Sequence, residues 1–446
     1  MGESALLKQH PNRHYPTVKY GKGVYLFDAE GREYLDGSSG AMTANIGHGV
    51  TEIAHALRTQ AESVAFSYRT QFTNEPAEEL ARALADLAPG DLNWAYFVSS
   101  GSEATEFAMR AAISHWREKG RPEKVKVLSR EVSYHGMTMG ALSMSGHTGR
   151  RPDYGSLLHP LPVTPAVHWK RFGLPGESEA AYAQRAVQAF EDAIVRERPD
   201  TVAAVIVEPI VGAAGGVLMP PVGYLRMLRE VCDRRDVLLI VDEVITGVGR
   251  TGDWFASARE EVVPDVLVIG KGMSAGYSPM AGVLLREHIV EAIRDGSGVS
   301  PFGHTFSGNP LSAATCLAVL RFIEGAGLIG NARARGEELG RGLRELAERH
   351  PRIADVRGRG LLWGFDITMG PGVGDAPPPS RETSAAFVEE CLAQGLIAYP
   401  AGIAPHNNAV ILSPPLVIDQ AEVQDLLTRL ARALAAMDER MARWVD

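Results

Sequence analysis

The chain has 446 residues, with 54 acidic against 45 basic side chains, a formal net charge of −9 and a 45% hydrophobic fraction. That length exceeds the roughly 250–300 residues over which single cores stop growing, so two domains are expected. No lysine and arginine run is long enough to track a phosphate backbone, and no stretch approaches the roughly 18 uncharged apolar residues of a membrane span, so neither nucleic acid nor a membrane is an expected partner.

Met1 to Leu7 lacks the basic-then-apolar pattern of a secretory signal, which predicts a cytoplasmic protein. Residues Val24 to Asp36 read as a hairpin: aromatic and aliphatic residues flank the turn Ala29-Glu30-Gly31. From there to about residue 310, short apolar runs alternate with helical patterns, the signature of a parallel sheet covered by helices. The strands are expected at Trp94–Val98, Val125–Leu128, Val202–Val207, Val237–Val241, Val266–Ile269 and Ala281–Leu285. Beyond Pro310 come amphipathic helices near Leu311–Phe322, Ala332–Glu348 and Ala421–Met437, with short strands at Leu361–Ile367 and Ala409–Leu412. This gives an α/β chain: an N-terminal segment over residues 1–60, a large domain over 61–310 and a smaller α+β domain over 311–446. Gly370 to Ser380, rich in Pro and Gly, is expected to be a surface loop. Cys232, Cys316 and Cys391 lie far apart without CxxC spacing, which predicts buried small hydrophobes and no zinc site.

In open α/β sheets, ligands bind outside the carboxyl ends of the strands. Trp94–Val98 runs into Ser99-Ser100-Gly101-Ser102 and then a helix, where Ser100 and Glu103 have capping-box spacing. Small residues at a helix start leave backbone N–H groups free for an anion, most simply a phosphate. Val202–Val207 ends in Glu208, Val237–Val241 in Asp242-Glu243, and Val266–Ile269 in Gly270-Lys271-Gly272. Charges at the ends of buried strands should face one cleft. The flanking glycines are read as removing bulk around the Lys271 amine for a flat ligand. A phosphate cup, an acid and a lysine are the three contributions a pyridoxal 5'-phosphate site needs: the lysine for a Schiff base, the acid for the pyridine nitrogen, the cup for the phosphate.

Two motifs point elsewhere. Gly247 to Gly252 matches G-x-G-x-x-G and raises an NAD-dependent dehydrogenase as a distant alternative, but Asp242 to Thr246 separate it from the strand and Asp253-Trp254-Phe255 makes a poor helix. Gly272-Met273-Ser274-Ala275-Gly276 matches a hydrolase nucleophile elbow, with His304 as a triad candidate, yet it leads into another strand and not a helix.

Taken in order and spacing, several segments resemble the class III (ω-amino acid) aminotransferases of PLP fold type I: Gly21 to Asp28, Asn45 to His48, Ser100 to Ala104, Tyr134-His135-Gly136, Val241 to Gly252, Gly270 to Gly272, Thr305 to Pro310 and Ser413 to Leu416. The resemblance implies a large domain with a mostly parallel seven-stranded-type sheet and a smaller C-terminal domain. It further implies that Lys271 carries the cofactor as the internal aldimine and that Asp242 pairs with the pyridine nitrogen. Val244 and Tyr134 would flank the ring, Gly101 and Ser102 would bind the phosphate, and His135 and Glu208 would stand beside the cofactor. Thr305 would reach the phosphate of a neighbouring subunit in a homodimer with shared sites. The implied reaction moves an amino group from an amine or ω-amino acid donor to a keto acid acceptor, with the freed lysine as general base. Racemisation, decarboxylation and elimination or replacement are alternatives on the same scaffold. Several family members carry an arginine for a substrate carboxylate just before the Pro-Pro element, where this chain has Ala409 to Ser413. Arg69, Arg150, Arg151, Arg357 and Arg359 are the candidates to replace it. The aromatic run Phe66 to Phe72, with Tyr68, is a candidate pocket wall.

Overall fold

The computed structural model describes residues 5–300, 303–370 and 376–444. Residues 1–4 of the amino terminus and 371–375 of the expected Pro/Gly-rich loop lie outside them.

A seven-stranded sheet organises the chain in the order Trp94–Val98, Ala281–Leu285, Val266–Ile269, Leu238–Asp242, Val202–Val207, Lys126–Arg130, Val163–Thr164. Neighbours are parallel except for Ala281–Leu285, which runs antiparallel to both Trp94–Val98 and Val266–Ile269. The central strands are buried along their whole length, as residues covered by helices on both faces must be. Two expected strands shift along the chain. Val125 is 48% exposed, so that strand begins at Lys126 and extends to Arg130. The strand expected at Val237–Val241 runs Leu238–Asp242, which makes Asp242 its last residue. The two-residue edge strand Val163–Thr164 is too short to leave a period-2 pattern in the sequence.

The expected hairpin forms from Tyr25–Asp28 and Glu33–Asp36. Its turn is held by Asp28, whose Oδ1 accepts the N–H groups of Glu30 and Arg32 at 3.1 and 2.8 Å. Val18–Lys22 adds on one side, and the distant Leu396–Ile397 adds in parallel to Glu33–Asp36 on the other. A four-stranded antiparallel sheet, Ile353–Arg359, Leu362–Ile367, Ala409–Leu412 and Tyr399–Ala401, carries the helices Leu328–Arg349 and Thr383–Ala393, and Gln420–Ala442 packs on both helices. The last helix opens on a capping box between Asp419 and Glu422. Pro310–Gly325 packs against helices Thr51–Ser63 and Glu75–Leu87. The three cysteines are buried and unpaired. Among the described residues, no single helix is long and apolar enough to cross a membrane.

Candidate active site

Four strand ends of the central sheet converge on one cavity of about 160 Å³. Its lining is Gly101, Ser102, Tyr134, His135, Gly136, Glu208, Ile210, Asp242, Val244, Ile245 and Lys271. Eight residues singled out in the sequence thus share one wall: Gly101, Ser102, Tyr134, His135, Glu208, Asp242, Val244 and Lys271. Thr305 does not line it and is exposed.

The anion end of the cavity is the start of helix Gly101–Glu118. Ser100 caps it, its side chain accepting the Glu103 N–H at 3.3 Å. The reciprocal half of the expected capping box moves by one residue, because the Glu103 carboxylate accepts the N–H of Ser99, at 2.8 Å, and not that of Ser100. Ser102 Oγ accepts the N–H of Met137 at 3.0 Å. A Cβ at Gly136 would lie 2.6 Å from that Oγ, so only glycine lets this chain pass the helix start.

The cavity is also lined by buried acidic side chains. Asp242 Oδ1 accepts the Val244 N–H at 3.1 Å, and Oδ2 lies 2.8 Å from His135 Nδ1. His135 is itself fixed by its backbone, whose N–H donates to Ser145 Oγ at 2.8 Å and whose carbonyl accepts from Thr105 at 2.5 Å. Glu208 accepts the N–H of Tyr134 at 3.0 Å and that of Gly212 at 2.9 Å. Burial is the main cause that pushes its carboxyl above the usual range. Glu243, next to Asp242, turns away and takes hydrogen bonds from Thr246, Ala256 and Ser257, so it pins a loop.

Lys271 lines the same cavity with a left-handed φ of 40°. Burial pushes its amine down to about 8, the charges of Asp242 and Glu208 oppose this, and that of Arg150 adds to it. About a tenth of the amine is then neutral at pH 7. The flanking glycines also meet the protein itself: a Cβ at Gly272 would stand 2.1 Å from Asn45 Nδ2, and one at Gly270 would stand 3.3 Å from both Val244 Cγ1 and Ala281 Cβ. Packing of the protein on itself leaves no room for a side chain at Gly272, and at Gly270 leaves only a tight fit.

Neither competing motif has its expected context. Gly247 to Gly252 forms turns, with Gly249 and Gly252 at φ of 84° and 87°, and no helix follows. Ser274 is buried after a single 3-10 turn, and His304 is exposed at a separate cavity beside Glu103 and Arg110. The described residues include no His/Cys/Asp/Glu cluster that could hold a metal ion.

Reading strand ends found the charged wall but passed over Gly136, Ile210 and Ile245. Ile210 lies only two residues beyond Glu208, so extending each strand end by two residues would have found it. A larger groove of about 990 Å³ lies between helices Thr51–Ser63, Glu75–Leu87 and Pro310–Gly325, with Phe66, Tyr68 and Phe72 in its wall, and has no lysine–carboxylate arrangement.

The residues fit pyridoxal phosphate by their chemistry: a helix start made of Gly101 and Ser102, a buried carboxylate and a partly neutral amine all line one cavity. Val244 and Tyr134 line the same cavity. Comparison with known proteins leads to the same chemistry. The family model described as aminotransferase class-III matches residues 8–434. An uncharacterized aminotransferase of Bacillus subtilis (strain 168), YodT, is 43% identical over 443 residues, covering 99% of both chains. The taurine–pyruvate aminotransferase of Rhodobacter capsulatus is 36% identical, over 93% of this chain and 90% of its own. The crystal structure of an omega transaminase from Pseudomonas jessenii in complex with PMP superposes with a TM-score of 0.91 at 31% identity, covering 97% of each chain.

Proposed function

We propose that this chain, which belongs to the class-III aminotransferase family, transfers amino groups through Lys271 and a buried Asp242–His135 pair. The chain is a pyridoxal phosphate-dependent aminotransferase that takes an amine or ω-amino acid donor and a keto acid acceptor. When bound, the cofactor supplies a carbonyl that takes up an amine and a ring that draws electrons from the adjacent carbon.

The observation that carries the assignment is the Lys271 amine, depressed by burial and sharing a cavity with Asp242. In its neutral form this amine can bind the cofactor's carbonyl and, once displaced by substrate, take a proton from the substrate carbon and return it. Asp242 would hold a proton on the ring nitrogen, and the hydrogen bonds from Val244 N–H and toward His135 fix its carboxylate for that. Gly101 and Ser102 would receive the phosphate at the helix start. Tyr134 and Val244 would keep the ring between them, and Glu208 sets Tyr134 through its backbone N–H. Ile210 and Ile245 give the substrate side an apolar wall that limits water.

A homodimer with shared sites is part of the same proposal. Thr305 and Phe306 are exposed outside this cavity, and Phe66, Tyr68, Phe72 and Phe306 leave a large aromatic surface uncovered, which a single subunit rarely tolerates. Thr305 would then serve the partner's phosphate. A cytoplasmic location, and division of the chain near residues 60 and 310, are proposed with it.

The test is the visible spectrum of the cofactor-loaded protein, titrated with amines in the absence of keto acid. Conversion of the cofactor band to a pyridoxamine-type band in the wild type, and no amine-dependent conversion in Lys271→Ala, is the expected result. Conversion at an undiminished rate in Lys271→Ala would overturn the assignment.

A further inference from the structure

The cavity poses an electrostatic problem for a keto acid. Two carboxylates, Asp242 and Glu208, line it, and the positive helix start at Gly101–Ser102 is the site assigned to phosphate. A substrate carboxylate entering this space therefore needs a cation that is not already neutralised.

Of the five candidate arginines, two are held by hydrogen bonds elsewhere and two stand in other surroundings. Arg151 donates to the carbonyls of Leu142, Ser143 and Ser145 at 2.9, 3.1 and 2.7 Å and so staples the end of a helix. Arg357 is buried between Asp355 and Asp366, at 3.0 and 2.9 Å, and also donates to Gly216 O. Arg359 stands among the charges of Arg259, Asp253, Glu243 and Glu260, on the side to which Glu243 turns away. Arg69 lies against the backbone at Gly303, where its guanidinium would meet any added Cβ.

Arg150 differs on each count. Its guanidinium carbon lies 4.6 Å from the centroid of the Tyr134 ring, on a wall of the cavity. It is half-buried, and among the described residues it forms no ion pair with a carboxylate. Its positive charge is felt by both Lys271 and the Tyr134 phenol. The guanidinium also hydrogen-bonds the Tyr134 phenol, and with five N–H donors it keeps others for a two-pronged bond to a planar carboxylate.

We infer that Arg150, mounted on Tyr134, receives the carboxylate of the α-keto acid acceptor and so takes the place of the arginine missing before Pro414-Pro415. This rests on the assignment of the cavity to Lys271 chemistry. The seat explains how one site accepts both an uncharged amine and an acidic acceptor: Ile210 and Ile245 receive the apolar part of either, and Arg150 is engaged only by the acid.

The experiment compares pyruvate with propanal, an uncharged acceptor of similar size, for the wild type, Arg150→Met and Arg150→Lys, with benzylamine as donor. Losing a charged hydrogen-bond pair should cost Arg150→Met about 10- to 100-fold in kcat/KM for pyruvate relative to propanal, with part of it restored by lysine. Titration of the cofactor-loaded proteins with propionate, read by cofactor absorbance, should show binding weakened about tenfold in Arg150→Met. An equal loss toward both acceptors would mean that Arg150 acts by holding Tyr134, and unchanged values for both would mean that it does nothing; either result overturns the inference. Wild-type protein that converts neither acceptor would instead sink the Lys271 assignment beneath it, and the propionate titration would still read Arg150.

Discussion

The Nδ1 atom of His135 and the Oδ2 atom of Asp242 are 2.8 Å apart with both side chains buried, and His135 Nε2 has no partner among the described residues. The imidazole therefore spends one nitrogen on the carboxylate, and the other lies in a pocket wall with no competing acceptor. This is how a buried carboxylate is held in one rotamer while facing a ligand.

Replacing His135 should thus be felt through Asp242. His135→Leu keeps the volume but leaves a buried carboxylate oxygen without its partner, a loss of roughly 1.5–3 kcal/mol for a hydrogen bond to a charged group. The expected result is cofactor affinity weakened by tenfold or more and a lower kcat, measured by equilibrium dialysis and steady-state kinetics. His135→Asn, which can still donate, should recover part of the loss. An unchanged dissociation constant in His135→Leu would show that Asp242 needs no such support.

Lys271 makes the stability of the cofactor-free protein depend on pH with a definite sign. Its amine is held near 8 in the folded chain, against 10.5 when unfolded. Between those values the unfolded chain binds more protons, so stability rises with pH across that window; below about 8 the penalty for burying the charge is present in full. Lys271→Met removes the penalty. The cofactor-free variant should melt above the wild type at pH 7, by an amount worth at most about 3 kcal/mol, and the gap should narrow by pH 10. A gap that stays constant across that range would contradict the depressed amine.

Much of this site was readable from strand ends alone, because a charge at the carboxyl end of an all-apolar strand has few places to go. Asp242, Glu208 and Lys271 follow from that rule, and the structure gathers them in one cavity. Arg150 could be named only as one of five, since what separates it from Arg151 is a choice between backbone carbonyls and a tyrosine ring, and adjacent residues carry no sequence mark of that choice. The contact behind Gly272 is hidden from the sequence for a related cause. Asn45 lies more than two hundred residues away along the chain, and no local pattern reports contacts that distant.

Gly272→Ala tests that contact directly. The added Cβ would fall 2.1 Å from Asn45 Nδ2, close enough that Asn45 or the Lys271 backbone must move. Overpacking of this kind costs about 1–3 kcal/mol, and here the displaced group carries the chemistry. Gly272→Ala should lower kcat strongly, and pairing it with Asn45→Ala should recover a measurable part of the cofactor spectrum and of the thermal stability. A double variant no better than the single one would show that the left-handed backbone at Lys271, and not Asn45, sets the requirement for glycine.

Arg250 links the same asparagine to the rest of the molecule and gives the last prediction. It is fully buried, donating to the carbonyls of Leu361 and Pro414 at 3.0 and 2.5 Å, to Ser39 Oγ at 3.1 Å and to Asn45 Oδ1 at 2.7 Å. Burial pushes its guanidinium down to about 9, with the charge of Asp36 in opposition. Asn45 in turn donates to Val248 O at 3.2 Å, so the glycine-rich turn after Asp242, the Pro-Pro element and the segment following the N-terminal hairpin share one buried cation. Arg250→Met removes the donors and leaves several carbonyls without partners, each worth about 1–3 kcal/mol when buried and unsatisfied. The expected outcome is a melting temperature lowered by several degrees and a cofactor that dissociates faster, because Asn45 also borders Gly272. Arg250→Lys should fall between, since a lysine supplies charge but cannot span four acceptors. A melting temperature unchanged in Arg250→Met would mean that the turn is held by its own backbone, through the Val248–Trp254 hydrogen bond at 2.7 Å.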